Sequence, residues 1–244
     1  MDPFLSVVIP VYNEERRIAV VMEEVFRYLE GCPFTYEVIV VDDGSTDDSA
    51  RILSESRRPQ LSVLRLKENQ GKGAAVRQGM LRAKGRVRMF RDADCSTSME
   101  QLERFLPYFE KNEDIVIGCR KMESSLVVRR QPWLRETLGR GFTWICRRLI
   151  LSQIRDYTCG FKCFSARASD AIFPKQLISR WAFDAEILYL AGRSGFSIVQ
   201  VPVVWSDEAG TKVRMWMDVP RSFLEIILIR WYSLTGRYGP SVSR

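Results

Sequence analysis

The chain has 244 residues, 37 Lys+Arg against 30 Asp+Glu, and no histidine. That length allows one large domain or two small ones, with a core that needs no staples. The missing histidine excludes a Ser-His-Asp triad, a Cys-His pair and His-rich zinc sites. A metal here must rely mainly on oxygen or sulfur, and a general base must be a carboxylate, Lys, Tyr or Cys unless the substrate brings its own nucleophile.

"LSVVIPV" (Leu5 to Val11) reads as a buried strand. From Glu14 to Leu29 the apolar residues Ile18, Val21, Met22, Val25, Phe26 and Leu29 fall at helical spacing. "YEVIVVDD" is a second strand, and Ser45 or Thr46 is placed to cap the helix after it, with Asp47 and Asp48 at its positive end. "LSVLRL" is a third strand, Lys72 to Ala83 a third helix, and Arg86 to Arg91 a fourth strand. Arg86, Arg88 and Arg91 suit a buried strand poorly. Beyond it, "DIVIGC" reads as a strand, Trp133 to about Leu151 as a helix, "TCGFKCF" as a short strand, Ala182 to Ala191 as a helix and "FSIVQVPV" as a strand.

This alternation argues an α/β fold with a mostly parallel sheet covered on both faces, whose ligands lie beyond the carboxyl ends of the strands. Four polar clusters fall there: "YNEE", "DDGSTDD", "ENQGKG" and "DADCSTS". In the last, Asp92 and Asp94 share one side of an extended segment. At roughly 4 Å such charges repel by about 4 kcal/mol at an effective dielectric near 20. They can hold a hard divalent cation through oxygen, together with substrate phosphates, or stand solvated in an acidic loop. "DDGSTDD" is either a turn before a capped helix or a place where Asp42 or Asp43 accepts hydrogen bonds from a base or ribose. "ENQGKG" is either a turn or a means of bringing Gly71 and Gly73 close to a ligand, with Lys72 pairing an anion. No phosphate-loop or dinucleotide fingerprint is present.

The six cysteines form no C-x-x-C pair and suit a reduced compartment. The N-terminus lacks the basic region and small-residue cleavage site of a signal peptide. No apolar run approaches the roughly 20 residues that span a bilayer.

"VVIPVYNEE", "VIVVDDGSTDDS", "NQGKGAAVRQGM" and "RDADCS", in that order, resemble the family 2 glycosyltransferases of the GT-A fold. "RDYTCGFKCFSA", "SRWAFDAEILYLA" and "VPVVWSDEAGTKV" narrow the resemblance to the dolichyl-phosphate β-glucosyltransferase branch, closely related to the dolichyl-phosphate mannosyltransferases. It covers about Leu5 to Val219. The resemblance implies one GT-A domain over 1–244, with a Rossmann-like nucleotide-sugar half to about 118, a less regular acceptor half over about 119–218, and an amphipathic segment over about 219–244. It implies that Pro10, Tyr12 and Glu14 line the uridine or guanosine site, that Asp43 contacts the base, and that Lys72 lies near the nucleotide. Asp92 and Asp94 would bind Mg²⁺ or Mn²⁺ on the diphosphate. Ser96 stands where mannosyltransferase relatives carry a metal-assisting Gln. Asp184 and Glu186 would sit near the sugar. Gln176 and Arg180 are one residue too far apart for the Q-x-x-R-W of polymerising relatives.

A polyprenyl phosphate is already an anion near neutral pH, so the missing base is not needed. Arginines would hold that phosphate in line, Arg130, Arg135 and Arg140 being the candidates against a solvated basic face. "VPRSFLEIILIRWYSL" (Val219 to Leu234) is too short to span a bilayer. It reads as a core-packed helix or as an interfacial one, with Trp231 and Tyr232 at headgroup level and Arg221, Arg230 and Arg237 toward anionic lipid. The expected activity is inverting, metal-dependent transfer of a hexose, glucose from UDP-glucose above others, to a polyprenyl or dolichyl phosphate. The expected place is the cytosolic membrane face, with the enzyme bound peripherally. The rivals are a GDP-mannose enzyme, transfer to a soluble or diacylglycerol acceptor, and a non-catalytic nucleotide-sugar or lipid-binding module. Acidic clusters at the ligand edge speak against a nucleic-acid partner.

Overall fold

The computed structural model describes residues 2–129, 133–207 and 215–239. Strands β1 (Leu5–Val11), β2 (Tyr36–Asp42), β3 (Leu61–Arg65) and β4 (Val87–Arg91) alternate with helices α1 (Ile18–Glu30), α2 (Ser49–Glu55) and α3 (Lys72–Met80). Then follow α4 (Leu106–Glu110), β5 (Ile115–Cys119), β6 (Leu126–Arg129), α5 (Trp133–Leu149), β7 (Phe161–Ser165), α6 (Ala166–Ile172), α7 (Phe183–Arg193), β8 (Ile198–Pro202), β9 (Val204–Ser206) and α8 (Met215–Leu234).

Seven strands form one sheet in the order β3-β2-β1-β4-β7-β5-β8. The run from β3 to β4 is parallel, β7 is antiparallel to both its neighbours, and β5 and β8 are parallel. β6 and β9 pair separately. Alternation along each strand feeds two cores. Val8, Ile39, Val41, Phe90 and Phe164 face one, which takes in residues of α3, α6, α7 and α8. Val7, Ile9, Val38, Val40 and Phe161 face the other, against α1. Each such side chain, fully buried, contributes about 1.5–3 kcal/mol of transfer free energy.

Several elements depart from the sequence reading. α1 begins at Ile18 rather than Glu14, because Asn13 adopts φ 54° and the carbonyl of Glu14 takes the amides of Arg17 and Ile18 in a turn. Neither Ser45 nor Thr46 caps α2, whose N-cap is Asp48. Ser45 instead accepts the Asn13 amide at 2.9 Å, and Ser49 accepts the Glu14 amide at 2.7 Å, tying the first two polar loops together. α3 stops at Met80.

The arginines of β4 do not displace it. Arg88 pairs with Asp170 at 2.5 Å and Arg91, 1% exposed, with Glu24 at 3.1 Å. A buried charge is tolerated when it is paired. Lys162 on β7 is buried in the same way against Asp184.

α8 has a buried face and an exposed apolar face. Ile226 and Ile229 are wholly buried in the core, while Leu224, Ile227, Trp231 and Leu234 are 58–79% exposed. Among the described residues no helix is long and apolar enough to cross a membrane.

Candidate active site

The carboxyl ends of β1, β2, β4 and β5 open into a cavity of about 1390 Å³, closed on the far side by α5 and the start of α8. Pro10, Tyr12, Glu14, Asp43, Lys72, Asp92, Asp94, Asp184 and Arg140 all line it. Arg130 lies outside the described residues, and Arg135 is placed only as a position on α5. Glu186 does not line the cavity. It is buried behind it, accepting the amides of Leu177 and Ile178 at 3.0 and 2.8 Å and the hydroxyl of Tyr238 at 2.7 Å. Two residues along α7, about 200° around the helix, separate it from the face that Asp184 turns to the cavity.

Asp92 follows β4 directly, and its amide donates to Gly160 O at 3.1 Å, so the antiparallel β7 segment braces it. The Lys72 ammonium lies 2.5 Å from Asp92 Oδ1, without the alignment of a hydrogen bond. Burial and the neighbouring Asp94 push the Asp92 carboxyl up, against the pull of Lys72. Burial depresses Lys72, but Asp92 and Asp184 more than offset that and its pKa is raised. The ammonium also sits 5.7 and 5.8 Å from the rings of Trp181 and Phe183. Asp94 Oδ1 accepts from both the amide and the hydroxyl of Ser96. Ser96 therefore orients Asp94 and leaves Oδ2 free of that contact.

This donor set suits a divalent cation. Two carboxylates line one cavity, one of them in contact with the Lys72 ammonium. A Mg²⁺-like ion with one or two carboxylates completes its shell from substrate phosphates and water. Among the described residues no cluster of three metal-ligating side chains occurs.

Asp43 is already engaged. Its oxygens accept from Asn69 Nδ2 at 3.0 Å and from the amides of Gln70 and Gly71, both at 2.8 Å. Burial raises its pKa, opposed by those amides. It shapes the β3–α3 loop at the cavity wall. The glycines of that loop serve packing: a Cβ on Gly71 would stand 2.5 Å from Ser179 O, and one on Gly73 2.7 Å from Phe183 Cβ. Gly71 also holds φ 108°. Their bareness lets the segment from 178 to 183, with Arg180 and Trp181, dock beside Lys72.

The sequence reading left Arg120 and Lys121 without a role. They follow β5 directly and line the same cavity. Arg120 is bound twice by Asp156, at 2.7 and 2.8 Å, donates to Thr158 and lies 5.2 Å from the Trp205 ring. Lys121 donates to Thr143 at 2.7 Å, and burial holds its pKa below the usual lysine value. The sheet-edge rule that found the other clusters applied equally to this strand end. Gly160 left no signal, because its role depends on β7 inserting beside β4. Arg140 is largely exposed and pairs with Glu136 at 2.6 Å.

The mostly parallel sheet with a cavity at its strand edge is the arrangement of a GT-A fold, and the comparisons agree. Residues 6–173 match the family model for Glycosyl transferase family 2. Dolichyl-phosphate beta-glucosyltransferase of Dictyostelium discoideum is 35% identical over 248 residues, spanning 96% of this chain and 76% of that protein. The Mus musculus and Saccharomyces cerevisiae proteins of that name are 36% and 32% identical, each over 96% of this chain, and 77% and 76% of their own lengths are covered. Among solved structures, Mycobacterium tuberculosis glucosyl-3-phosphoglycerate synthase with Mn²⁺, UDP and glucosyl-3-phosphoglycerate superposes with a TM-score of 0.64 at 18% identity, over 98% of this chain and 81% of that one. S. aureus TarS 1-349 with UDP-GlcNAc gives 0.59 at 19%, over 94% and 66%.

The chain belongs to glycosyltransferase family 2. It is a glycosyltransferase of the GT-A fold, similar along most of its length to dolichyl-phosphate β-glucosyltransferases.

Proposed function

We propose that this enzyme transfers glucose, with inversion, from UDP-glucose to a dolichyl or other polyprenyl phosphate at a membrane surface. The observation that carries the reading is the two-sided cavity: paired carboxylates and Lys72 on one wall, Arg120 and Lys121 on the other. The relatives, named for glucosyl transfer to dolichyl phosphate, support the glucosyl group and the lipid phosphate. UDP in the superposed structures fits the same reading.

Pro10, Tyr12 and the Asp43-braced loop receive the uridine, within a half of the chain that runs to about 118. Asp92 and Asp94 would hold Mg²⁺ or Mn²⁺. When bound, that ion supplies neutralisation of the negative charge that gathers on the departing diphosphate. Lys72 is the chain's own cation at that place and adds to the same stabilisation. Asp184, paired with Lys162, faces the sugar from the cavity floor. Arg120 and Lys121, with Arg140 at the rim, hold the acceptor phosphate in line with the anomeric carbon. That phosphate attacks as an anion, so no side chain has to remove a proton.

The acceptor's lipid chain leads toward α5 and α8. Their outer faces expose Trp133, Trp144, Leu224, Ile227 and Trp231, with Arg147, Arg148, Arg230 and Arg237 around them. Apolar residues ringed by arginines suit a peripheral helix pair at an anionic leaflet, here the cytosolic face.

The test incubates purified protein with labelled UDP-glucose or GDP-mannose and dolichyl phosphate in vesicles. Glucosylated lipid, with UDP released only when acceptor is present, is the expected result. Mannosylated lipid from GDP-mannose alone, or UDP release that ignores the acceptor, refutes the reading.

A further inference from the structure

The loop that carries Asp92 and Asp94 is gripped from behind by a single side chain of α1. Glu24 Oε2 accepts from Arg91 Nη2 at 3.1 Å, at the residue before Asp92. Glu24 Oε1 accepts from the amide of Met99 at 3.1 Å, where the chain turns into a short 3₁₀ segment after the loop. Between them stands Cys95 in the left-handed region at φ 55°. One carboxylate thus touches the entry and the exit of the loop.

Arg91 is wholly buried on the opposite side of β4 from Asp92. Its Nε and Nη1 find no hydrogen-bond acceptor among the described residues. Glu24 is therefore the carboxylate that fixes this guanidinium, and with it the end of β4. α1 does not need the pair for its own anchorage, since Ile18, Val21, Val25, Phe26 and Leu29 are already buried.

We propose that Glu24 is a positioning residue for the metal site: by clamping Arg91 and Met99, on either side of the loop, it sets the separation and aim of Asp92 and Asp94, and so the affinity for a divalent cation. The inference rests on the metal reading above. Outer partners of this kind typically alter metal affinity by about 10- to 100-fold when removed. A purely structural ion pair would change stability and leave affinity alone.

The experiment titrates purified protein with Mn²⁺ in the presence of UDP and no acceptor, reading free Mn²⁺ by electron paramagnetic resonance, with Tm measured alongside. Glu24→Ala is expected to weaken Mn²⁺ binding by about 10-fold or more. The double variant Glu24→Leu with Arg91→Met leaves no uncompensated buried charge. It is expected to keep its Tm and show the same weakening, so it decides the matter if the single variant does not fold. Arg91→Lys, which preserves the ion pair, should restore near-parental affinity. Parental Mn²⁺ affinity in the folded double variant overturns the clamp. Wild-type protein that binds no Mn²⁺ overturns the metal reading first and the clamp with it, and the two failures are distinct.

Discussion

Gly160→Ala tests the placement of the Asp92 carboxylate while leaving its backbone brace intact. Gly160 sits where β7 begins, and its backbone carbonyl holds the Asp92 amide. A Cβ placed on it would lie 2.1 Å from Asp92 Oδ2 and 2.3 Å from Cγ, where real Cβ contacts stay above 3.0 Å. The difference, 3.0 minus 2.1, requires the carboxylate to retreat by about 0.9 Å. The substitution leaves the Asp92–Gly160 hydrogen bond in place and adds one methyl group. A misplacement of about 1 Å at a reacting centre costs on the order of 10²-fold in rate, or about 2.7 kcal/mol. The assay is kcat/KM for UDP-glucose against polyprenyl phosphate, with Tm and UDP binding without metal as controls. The expected variant is folded, binds UDP normally without metal, and is about 100-fold slower. Parental kcat/KM would refute the claim that the reaction depends on where the Asp92 carboxylate stands.

Asp156→Ala leaves the Arg120 guanidinium without its buried partner, at a cost of about 3–5 kcal/mol read from denaturant midpoints. Burial pushes the Asp156 carboxyl up, but Arg120 more than reverses this and holds it well below the usual carboxylate range. Its stabilisation is therefore full above about pH 4 and lost as pH falls; an Asp156→Asn variant with the same acid limb as the parent contradicts this. Glu186 runs the other way. Burial raises it to about 7, against the hydrogen bonds from Tyr238, Leu177 and Ile178. Its contribution is full below about pH 4.3 and declines as pH rises through 7, so Glu186→Gln should flatten stability across that window. Equal slopes in the two proteins would remove that assignment. Replacing Leu224, Ile227 and Trp231 together with Ser should lower vesicle binding by about 3 kcal/mol, or roughly 100-fold, with little change in Tm. Undiminished sedimentation with vesicles refutes the interfacial face of α8.

The nucleotide-facing part was legible because each feature is local. Strand, polar loop and helix follow one another in the chain, so "YNEE", "DDGSTDD", "ENQGKG" and "DADCSTS" could be assigned to one sheet edge before their contacts were known. What escaped was non-local. β7 joins the sheet antiparallel between β4 and β5, and no periodicity announces this; with it went the role of Gly160. Arg88 and Arg91 looked wrong for a buried strand because their partners, Asp170 and Glu24, come from elements 82 and 67 residues away. Glu186 was read with Asp184 because both lie in "WAFDAE", yet helical geometry turns it toward Leu177, Ile178 and Tyr238. The C-terminal segment carries apolar residues around most of its circumference, so hydropathy left core and interface both open. The structure buries one face of it in the core and leaves the other exposed.

The central claim is that Asp92 and Asp94 together hold the cation on which the diphosphate leaves. Its most direct measurement is glucosyl transfer from UDP-glucose to polyprenyl phosphate by the Asp92→Asn, Asp94→Asn double variant, shown by circular dichroism to be folded, with saturating Mn²⁺. The account predicts a loss of at least about 10³-fold relative to the parent. A parental rate, undiminished after EDTA treatment, would contradict it.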